Sequence, residues 1–238
     1  QGQQATTGTK ASDKYKNVTE PDFKDANGNN DTKKNKEAQD AKTAYDKALE
    51  EAKALKDDQN ATQKDVDAAK AKLDAARKEL DKYSTNKDKL NAAIAEHGQV
   101  NTGKNDQGTQ DVTKADPTYQ NSNDTERKAY DDAVKKANDL SKNPNASQKD
   151  VNKAIEDLKK AKEALDKNAT DKAPLDAAVQ KSFDNPKPDD KSKQSVFYKN
   201  AAAKKDTDPD AKKAVEDYDK ALQKAKDVLG DKNATKAD

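Results

Sequence analysis

The chain contains no cysteine, no methionine and no tryptophan, and it has only one histidine among 238 residues. Without cysteine, a disulfide scaffold, a thiolate metal site and a thiol nucleophile are all excluded. With His97 alone, neither a histidine-dependent catalytic triad nor a multi-histidine metal site can be assembled. Glycine is also scarce, at seven residues, and no phosphate-cradling loop is present. We therefore expect no metal, no cofactor and no catalysis.

Large apolar residues are few as well. Leucine, isoleucine, valine and phenylalanine total 26 of 238 residues, about 11%, and a conventional globular core becomes doubtful below roughly 20%. The 47 basic and 46 acidic residues leave a formal net charge of +1. Nucleic acid and acidic membrane surfaces select basic stripes, so neither is expected as the main partner. No apolar run approaches bilayer length, and the first four residues lack signal-peptide character. We expect a soluble chain or a segment of a longer one, without direct membrane contact.

An internal repeat is the strongest signal in the chain. A shift of 85 residues carries one aromatic-centred motif onto a second copy, and a further 88 carries it onto a third, incomplete copy that stops at the end of the sequence. Self-similarity at a fixed period is typical of repeat architectures. The repeated positions, which we take as the structural motif, are Tyr45, Tyr130 and Tyr218, Asn60 and Asn145, Val66 and Val151, Leu73 and Leu158, and Leu80 and Leu165.

Within each copy the apolar residues recur at steps of three and four, which predicts helices and no strands. Helix caps are expected at Thr62, Ser147, Thr85 and Asp208. Because the break between the two long helices is short, they should pack antiparallel. An intermolecular coiled coil would use the same spacing, but these helices are too short and too regularly broken for one. The predicted fold is all-α: tandem three-helix bundles, each a long antiparallel pair plus a short third helix, in an extended array.

The predicted boundaries follow from the repeat. They are an N-terminal linker with the Tyr15 motif at 1–30, repeat 1 at 31–98, a linker at 99–121, repeat 2 at 122–183, a linker at 184–208 and a partial repeat 3 at 209–238. The linkers have the composition of solvated irregular chain.

One aromatic recurs in each linker, at Tyr15, Tyr119 and Tyr198. Its distance to the tyrosine of the following helix varies, which indicates a docking ring rather than a helix position. We hypothesise that these tyrosines, with Val196 and Phe197, pack on the bundles and limit the freedom between repeats. The alternative is that each is an isolated exposed side chain.

Two other motifs invite a chemical interpretation. The oxygen-rich segment 25–31 resembles a calcium loop, but its sixth position is Asn30 instead of glycine and its twelfth is Lys36 instead of glutamate. Asn-x-Ser/Thr occurs at Asn60, Asn145, Asn168 and Asn233. In each case the hydroxyl residue stands where a helix should begin, so capping explains the recurrence without a sugar.

The order of the motifs resembles the FIVAR module. Residues 198–201, 130–134 and 145–151, together with Leu158, Ala161 and Leu165, carry the resemblance. Such modules resemble parts of large cell-wall-anchored surface proteins of Gram-positive bacteria, including staphylococcal extracellular-matrix-binding proteins and lactobacillal repeat adhesins. The resemblance implies an extracellular location and an association with fibronectin or another matrix protein. No Leu-Pro-x-Thr-Gly sorting motif occurs in the sequence, so anchoring rests on the resemblance alone.

Two functions follow as hypotheses. The favoured one is a monomeric, non-catalytic stalk or spacer of a surface adhesin, with a role in adhesion to host extracellular matrix. The alternative is a helical module that binds a specific host protein, such as fibronectin, albumin or immunoglobulin. Such an interface needs aromatic or arginine anchors, of which the chain has few.

Overall fold

The computed structural model describes residues 8–105, 107–181 and 195–238, and in these residues the chain is all-α, as predicted. Two short 3₁₀ segments, Leu80–Tyr83 and Val112–Lys114, accompany the helices. Extended structure among the described residues is limited to two isolated antiparallel bridges. The helices are α1 (Asp13–Thr19), α2 (Thr32–Lys56), α3 (Gln63–Glu79), α4 (Asp88–His97), α5 (Pro117–Gln120), α6 (Asp124–Lys142), α7 (Gln148–Asp166), α8 (Ala173–Lys181), α9 (Val196–Lys204) and α10 (Pro209–Gly230).

Side-chain caps determine where several helices begin. Thr62 and Asp65 form a reciprocal capping box at the start of α3, Ser147 accepts a hydrogen bond from the Asp150 amide at α7, and Asp208 caps α10. These satisfy amides that have no partner within the helix. The prediction for Thr85 is wrong: α4 starts after Lys87 without a side-chain cap. The Thr85 hydroxyl has a different use, described below.

The chain divides into two compact units. The first unit comprises residues 1–99 and 125–164, and so contains α1 to α4 with nearly all of α6 and α7. The second unit comprises residues 100–124 and 165–238, and contains α5 and α8 to α10.

In the first unit, α2 and α3 pack against each other and α1 lies across α2 and the 3₁₀ turn that follows α3. The ring of Phe23, from the loop after α1, lies 5.8 Å from that of Tyr83. The buried cluster holds few large side chains and is completed by alanine, so its packing depends on close approach of the helices. Its members are Val18, Phe23, Ala38, Ala41, Tyr45, Leu49, Leu80 and Tyr83.

The long helices α6 and α7 bury an equally narrow face. Lys136 of α6 and Asp157 of α7 form an ion pair at 3.9 Å. The buried residues of the two helices within the first unit are Tyr130, Ala133, Ala137, Val151, Ala154, Leu158 and Ala161.

In the second unit, α8 and α9 both pack on α10, which buries Val215 and Leu222. Helix α5 buries Tyr119. The loop that precedes α5 turns at Gly103, whose φ is +74°. There is no room for a Cβ at this position, because that atom would lie 2.0 Å from the Asp111 carbonyl oxygen.

The segments expected to be irregular chain are partly helical. Helices α1, α5 and α9 lie within them, and Val18 of α1 is fully buried. Sequence analysis missed these helices because they are only 4 to 9 residues long, too short to show a periodicity. The repeat boundaries themselves remain a prediction.

Candidate functional site at the joints between repeats

Two of the short helices, α1 and α9, each place a tyrosine against the long helix that follows. The Tyr15 ring lies 5.7 Å from the Tyr45 ring and its hydroxyl donates to Asp46 at 2.9 Å. The Tyr198 ring lies 5.5 Å from the Tyr218 ring and its hydroxyl donates to Asp219 at 2.9 Å. Both helices are capped alike, by Ser12 and Ser195. The linker tyrosines Tyr15 and Tyr198 therefore each meet a motif tyrosine.

Burial, together with the hydrogen bond to Asp219, raises the pKa of Tyr198 to about 12. Burial, followed by Asp46, also raises the pKa of Tyr15. The third linker tyrosine, Tyr119, is buried and its hydroxyl accepts a hydrogen bond from Gln110 at 2.6 Å.

The hypothesis fails for the two apolar residues that precede Tyr198. Val196 is 68% exposed and Phe197 is 87% exposed. At the equivalent positions of repeat 1, Asp13 accepts a hydrogen bond from the Thr85 amide and Lys14 pairs with Asp81. In repeat 1 these positions therefore contact the residues that follow the second long helix, α3.

The first joint is the contact of residues 13–22 and 83–97 with residues 130–152, and Asn17 lies at its centre. Its side chain is fully buried. The amide nitrogen Nδ2 donates to the Tyr83 carbonyl at 2.7 Å and to Thr85 Oγ1 at 2.8 Å. The oxygen Oδ1 accepts from the Gln148 backbone amide at 2.6 Å. Every strong hydrogen-bonding group of this buried amide thus has a partner, as burial of a polar side chain requires.

Two further side chains of the first joint bind backbone carbonyls. The Thr85 hydroxyl donates to the Ala146 carbonyl at 2.7 Å. The Lys87 ammonium group donates to the carbonyls of Ser141, at 3.0 Å, and Asn143. Those carbonyls lie at the C-terminal end of α6, where helical acceptors lack partners and the helix dipole favours a cation.

The second joint is the contact of residues 121–122 and 168–172 with residues 229–236. Asn121 Nδ2 donates to the Asn168 carbonyl and to Thr170 Oγ1, both at 2.9 Å. Its Oδ1 accepts from the Lys236 amide at 2.9 Å. The Thr170 hydroxyl donates to the Ala234 carbonyl at 2.8 Å.

Lysine caps a helix end in the second joint as in the first. Lys172 donates to the Leu229 carbonyl at 3.4 Å and to the Asp231 carbonyl at the C-terminal end of α10.

The two joints are formed by equivalent residues and equivalent hydrogen bonds. Each uses a threonine and a lysine from one repeat, together with an asparagine at the short helix that precedes that repeat. Each binds backbone groups in the turn that follows the first long helix of the next repeat. Because the next repeat contributes backbone, its residues can differ without changing the bonds. The equivalent residues are Asn17 and Asn121, Thr85 and Thr170, Lys87 and Lys172, and, in the receiving turn, Ala146 and Ala234.

Other contacts belong to the first joint alone. Lys149 pairs with Glu20 at 2.6 Å, and Asn152 donates to the Asp22 carbonyl at 2.6 Å. The loop that carries Asp22 follows α1 and separates it from α2, whereas α5 is followed almost directly by α6. The Tyr130 hydroxyl also donates to the His97 carbonyl, at 2.8 Å, at the end of α4.

The remaining motif residues divide into buried and exposed positions. Asn60 and Asn145 are exposed, and Val66 is 43% exposed although its counterpart Val151 is fully buried. Leu73 and Tyr218 are partly buried. Tyr45, Tyr130, Leu80, Leu158 and Leu165 are buried.

Sequence analysis did not find the joints. It took every hydroxyl of the Asn-x-Ser/Thr motifs as a helix cap, and this is wrong for Thr170, whose hydroxyl binds the next repeat. A usable signal was present: Thr85-Asn86-Lys87 and Thr170-Asp171-Lys172 stand at the same 85-residue shift outside the apolar seams.

The segment that resembles a calcium loop is a tight turn. Asp25 Oδ1 accepts from the backbone amides of Asn27, at 2.9 Å, and Asn29, at 2.8 Å. The Asn29 amide is the main cause that lowers the pKa of Asp25. In the part of the chain that the structure describes, no group of three His, Asp or Glu side chains could hold a metal ion.

Fold and joints together define a tandem helical repeat protein whose successive repeats bind head to tail. Comparison with known families agrees: the FIVAR domain model matches residues 16–81, 86–166 and 191–238. The chain belongs to the FIVAR domain family. No curated protein matches it, and no solved structure does. None of the described helices is both long enough and apolar enough to cross a bilayer.

Proposed function

We propose that this chain is a non-catalytic spacer in a bacterial surface adhesin, held outside the cell wall. The observation that carries the proposal is the recurrence of one polar joint between successive repeats. A spacer that must hold a binding region away from a surface needs fixed contacts between its repeats, since a flexible linker gains reach only with the square root of its length.

The chemistry of the joint supports this role. Three side chains and the backbone of the receiving turn form directional bonds that are satisfied in one arrangement only. An apolar contact of similar size would tolerate sliding, because the hydrophobic effect has no direction. The joint therefore gives a repeat with a thin, alanine-rich core a fixed relation to its neighbour.

Direct adhesion to an extracellular-matrix protein such as fibronectin is the second candidate. Interfaces of this kind are centred on aromatic or arginine anchors. Among the described residues, Phe197 is the exposed aromatic that could serve. Surface plasmon resonance of the whole chain and of its Phe197→Ala variant, against fibronectin, albumin and immunoglobulin, tests this candidate. Tight binding that Phe197→Ala abolishes would favour it over the spacer.

The spacer proposal is tested by measuring how narrow the distribution of distances across a joint is. The chain has no cysteine, so cysteines introduced at the exposed positions Lys47 and Lys160 accept spin labels without interference. Pulsed electron resonance should give one narrow distance distribution across the first joint. The double variant Asn17→Ala and Thr85→Ala should broaden it. A broad distribution in the unaltered joint would refute the spacer role.

A further inference from the structure

The turn between α2 and α3 of repeat 1 is equivalent to the turns that the two joints bind. In repeat 2 the joint binds the Ala146 carbonyl and the Gln148 amide, and in repeat 3 the Ala234 carbonyl and the Lys236 amide. The counterparts in repeat 1 are the Ala61 carbonyl and the Gln63 amide. Neither forms a hydrogen bond with any described residue.

The side chains around this turn are also more exposed than their counterparts in the two turns that the joints bind. Val66 is 43% exposed, while Val151 at the same position of repeat 2 is fully buried. Val151 stands between Gln148, which binds Asn17, and Asn152, which binds Asp22. Ala146 and Ala234 are both 2% exposed, whereas Ala61 is only partly buried. The helix start itself is intact, with the Thr62–Asp65 capping box formed.

We infer that the turn of repeat 1, residues 56–66, is a docking surface for a further repeat of this same kind. The partner would contribute an asparagine and a threonine to the Gln63 amide and the Ala61 carbonyl. A lysine would reach the carbonyls of residues 56 and 58 at the end of α2. The inference rests on the two joints and not on the proposed function, so each can fail without the other.

The charge of Asp67, beside the turn of repeat 1, determines which kind of repeat can dock there. Asn152, which donates to Asp22 in the first joint, is replaced in repeat 1 by Asp67. A partner of the repeat 1 type would bring Asp22 against Asp67, and like charges in contact are unfavourable. A partner of the repeat 2 type has no such loop, since α5 leads almost directly into α6. The occupant is therefore a repeat with the donor set of Asn121, Thr170 and Lys172.

A fused chain tests the docking directly. Residues 1–194 are joined to residues 12–238, so that Ser12-Asp13-Lys14-Tyr15 takes the place of Ser195-Val196-Phe197-Tyr198 and the short-helix cap is kept. Ala61→Cys is introduced in the second copy only, and its rate of reaction with a maleimide is compared with that of Ala61→Cys in the single chain.

Docking should slow the reaction about tenfold or more, because the thiol becomes accessible only when the joint opens. Ala146→Cys, in the first joint, is the matched control and should react slowly in both chains. Asn121→Ala in the first copy should restore the fast reaction of Ala61→Cys. An equal rate in the single and fused chains would overturn the inference, and so would slow reaction that survives Asn121→Ala.

Misfolding at the fusion point is separated from failure to dock by a second variant. It replaces residues 182–194 of the first copy by a glycine–serine linker of the same length, and far-UV circular dichroism checks the helix content of both chains. Protection of Ala61→Cys in either folded chain supports the inference, and fast reaction in both contradicts it.

Discussion

Replacing Asn17 by alanine tests whether the joint couples two repeats. The substitution removes three hydrogen bonds of 2.6 to 2.8 Å from a fully buried position. It leaves the Tyr83 carbonyl and the Gln148 amide without their partner, and each stranded buried group costs about 1 to 3 kcal/mol. We expect the free energy of unfolding to fall by about 3 kcal/mol in total.

The assay is urea unfolding of the whole chain, followed by far-UV circular dichroism. With an m-value of about 1 to 3 kcal/mol/M, the midpoint should fall by about 1 to 3 M for the part of the chain that contains the first joint. Because stability in repeat proteins is a sum of repeat and interface contributions, loss of one interface should also broaden the transition or split it.

The chain supplies its own control. Tyr198-Lys199-Asn200 has the same sequence as Tyr15-Lys16-Asn17, but Asn200 is exposed. Asn200→Ala should change the free energy of unfolding by less than about 0.5 kcal/mol.

A variant of almost unchanged shape separates hydrogen bonding from packing. Asn17→Asp keeps the volume but turns the donor that faces the Tyr83 carbonyl into an acceptor, and it buries a charge. We expect it to destabilise at least as much as Asn17→Ala. If Asn17→Asp proves mild, or if Asn17→Ala and Asn200→Ala are indistinguishable, the joint does not act as described.

Three smaller effects are expected. Tyr198 should ionise near pH 12, so its contribution to stability is complete below pH 10 and is lost as the pH rises through 12; the tyrosinate absorbance of the chain minus that of Tyr198→Phe measures this, and ionisation near pH 10 would contradict it. Gly103→Ala should lower the melting temperature, because a Cβ there meets the Asp111 carbonyl oxygen at 2.0 Å and φ is positive; Gly108→Ala, at a positive φ with open space around it, is the control and should cost less. Thr62→Ala should cost about 1 kcal/mol by loss of a helix cap; thermal unfolding that shows no change would mean that the cap is dispensable.

The sequence predicted what depends on periodicity and repetition. The all-α class followed from steps of three and four, and the repeat followed from the tyrosine and leucine positions. The caps at Thr62, Ser147 and Asp208 were predicted because a cap depends on residues within one turn of helix. These are local features, and local features can be recognised in a single sequence.

The joints could not be predicted in that way, because their bonds connect residues far apart in the chain. Asn17 and Gln148 are separated by 131 positions, and no apolar pattern marks either of them. Thr85 was misassigned as a cap because threonine before an aspartate is a common start of a helix. The exposure of Val196 and Phe197 was also missed, since these large apolar side chains next to Tyr198 were expected to pack on the bundle with it.

The geometry of the joint also determines how such repeats can associate. One repeat contributes the Asn-Thr-Lys set and the other contributes its turn, so the contact is heterologous: the two faces differ, and each repeat can carry one of each. A heterologous contact does not close on itself as a two-fold dimer does, and it can therefore be added in series. Repeat 2 illustrates this, because its turn is bound by the side chains of repeat 1 while Asn121 and Thr170 bind repeat 3. Since the bonds reach backbone in the receiving turn, the turns can vary in sequence, as Asn143-Pro144-Asn145 and Asp231-Lys232-Asn233 do, while the joint remains the same.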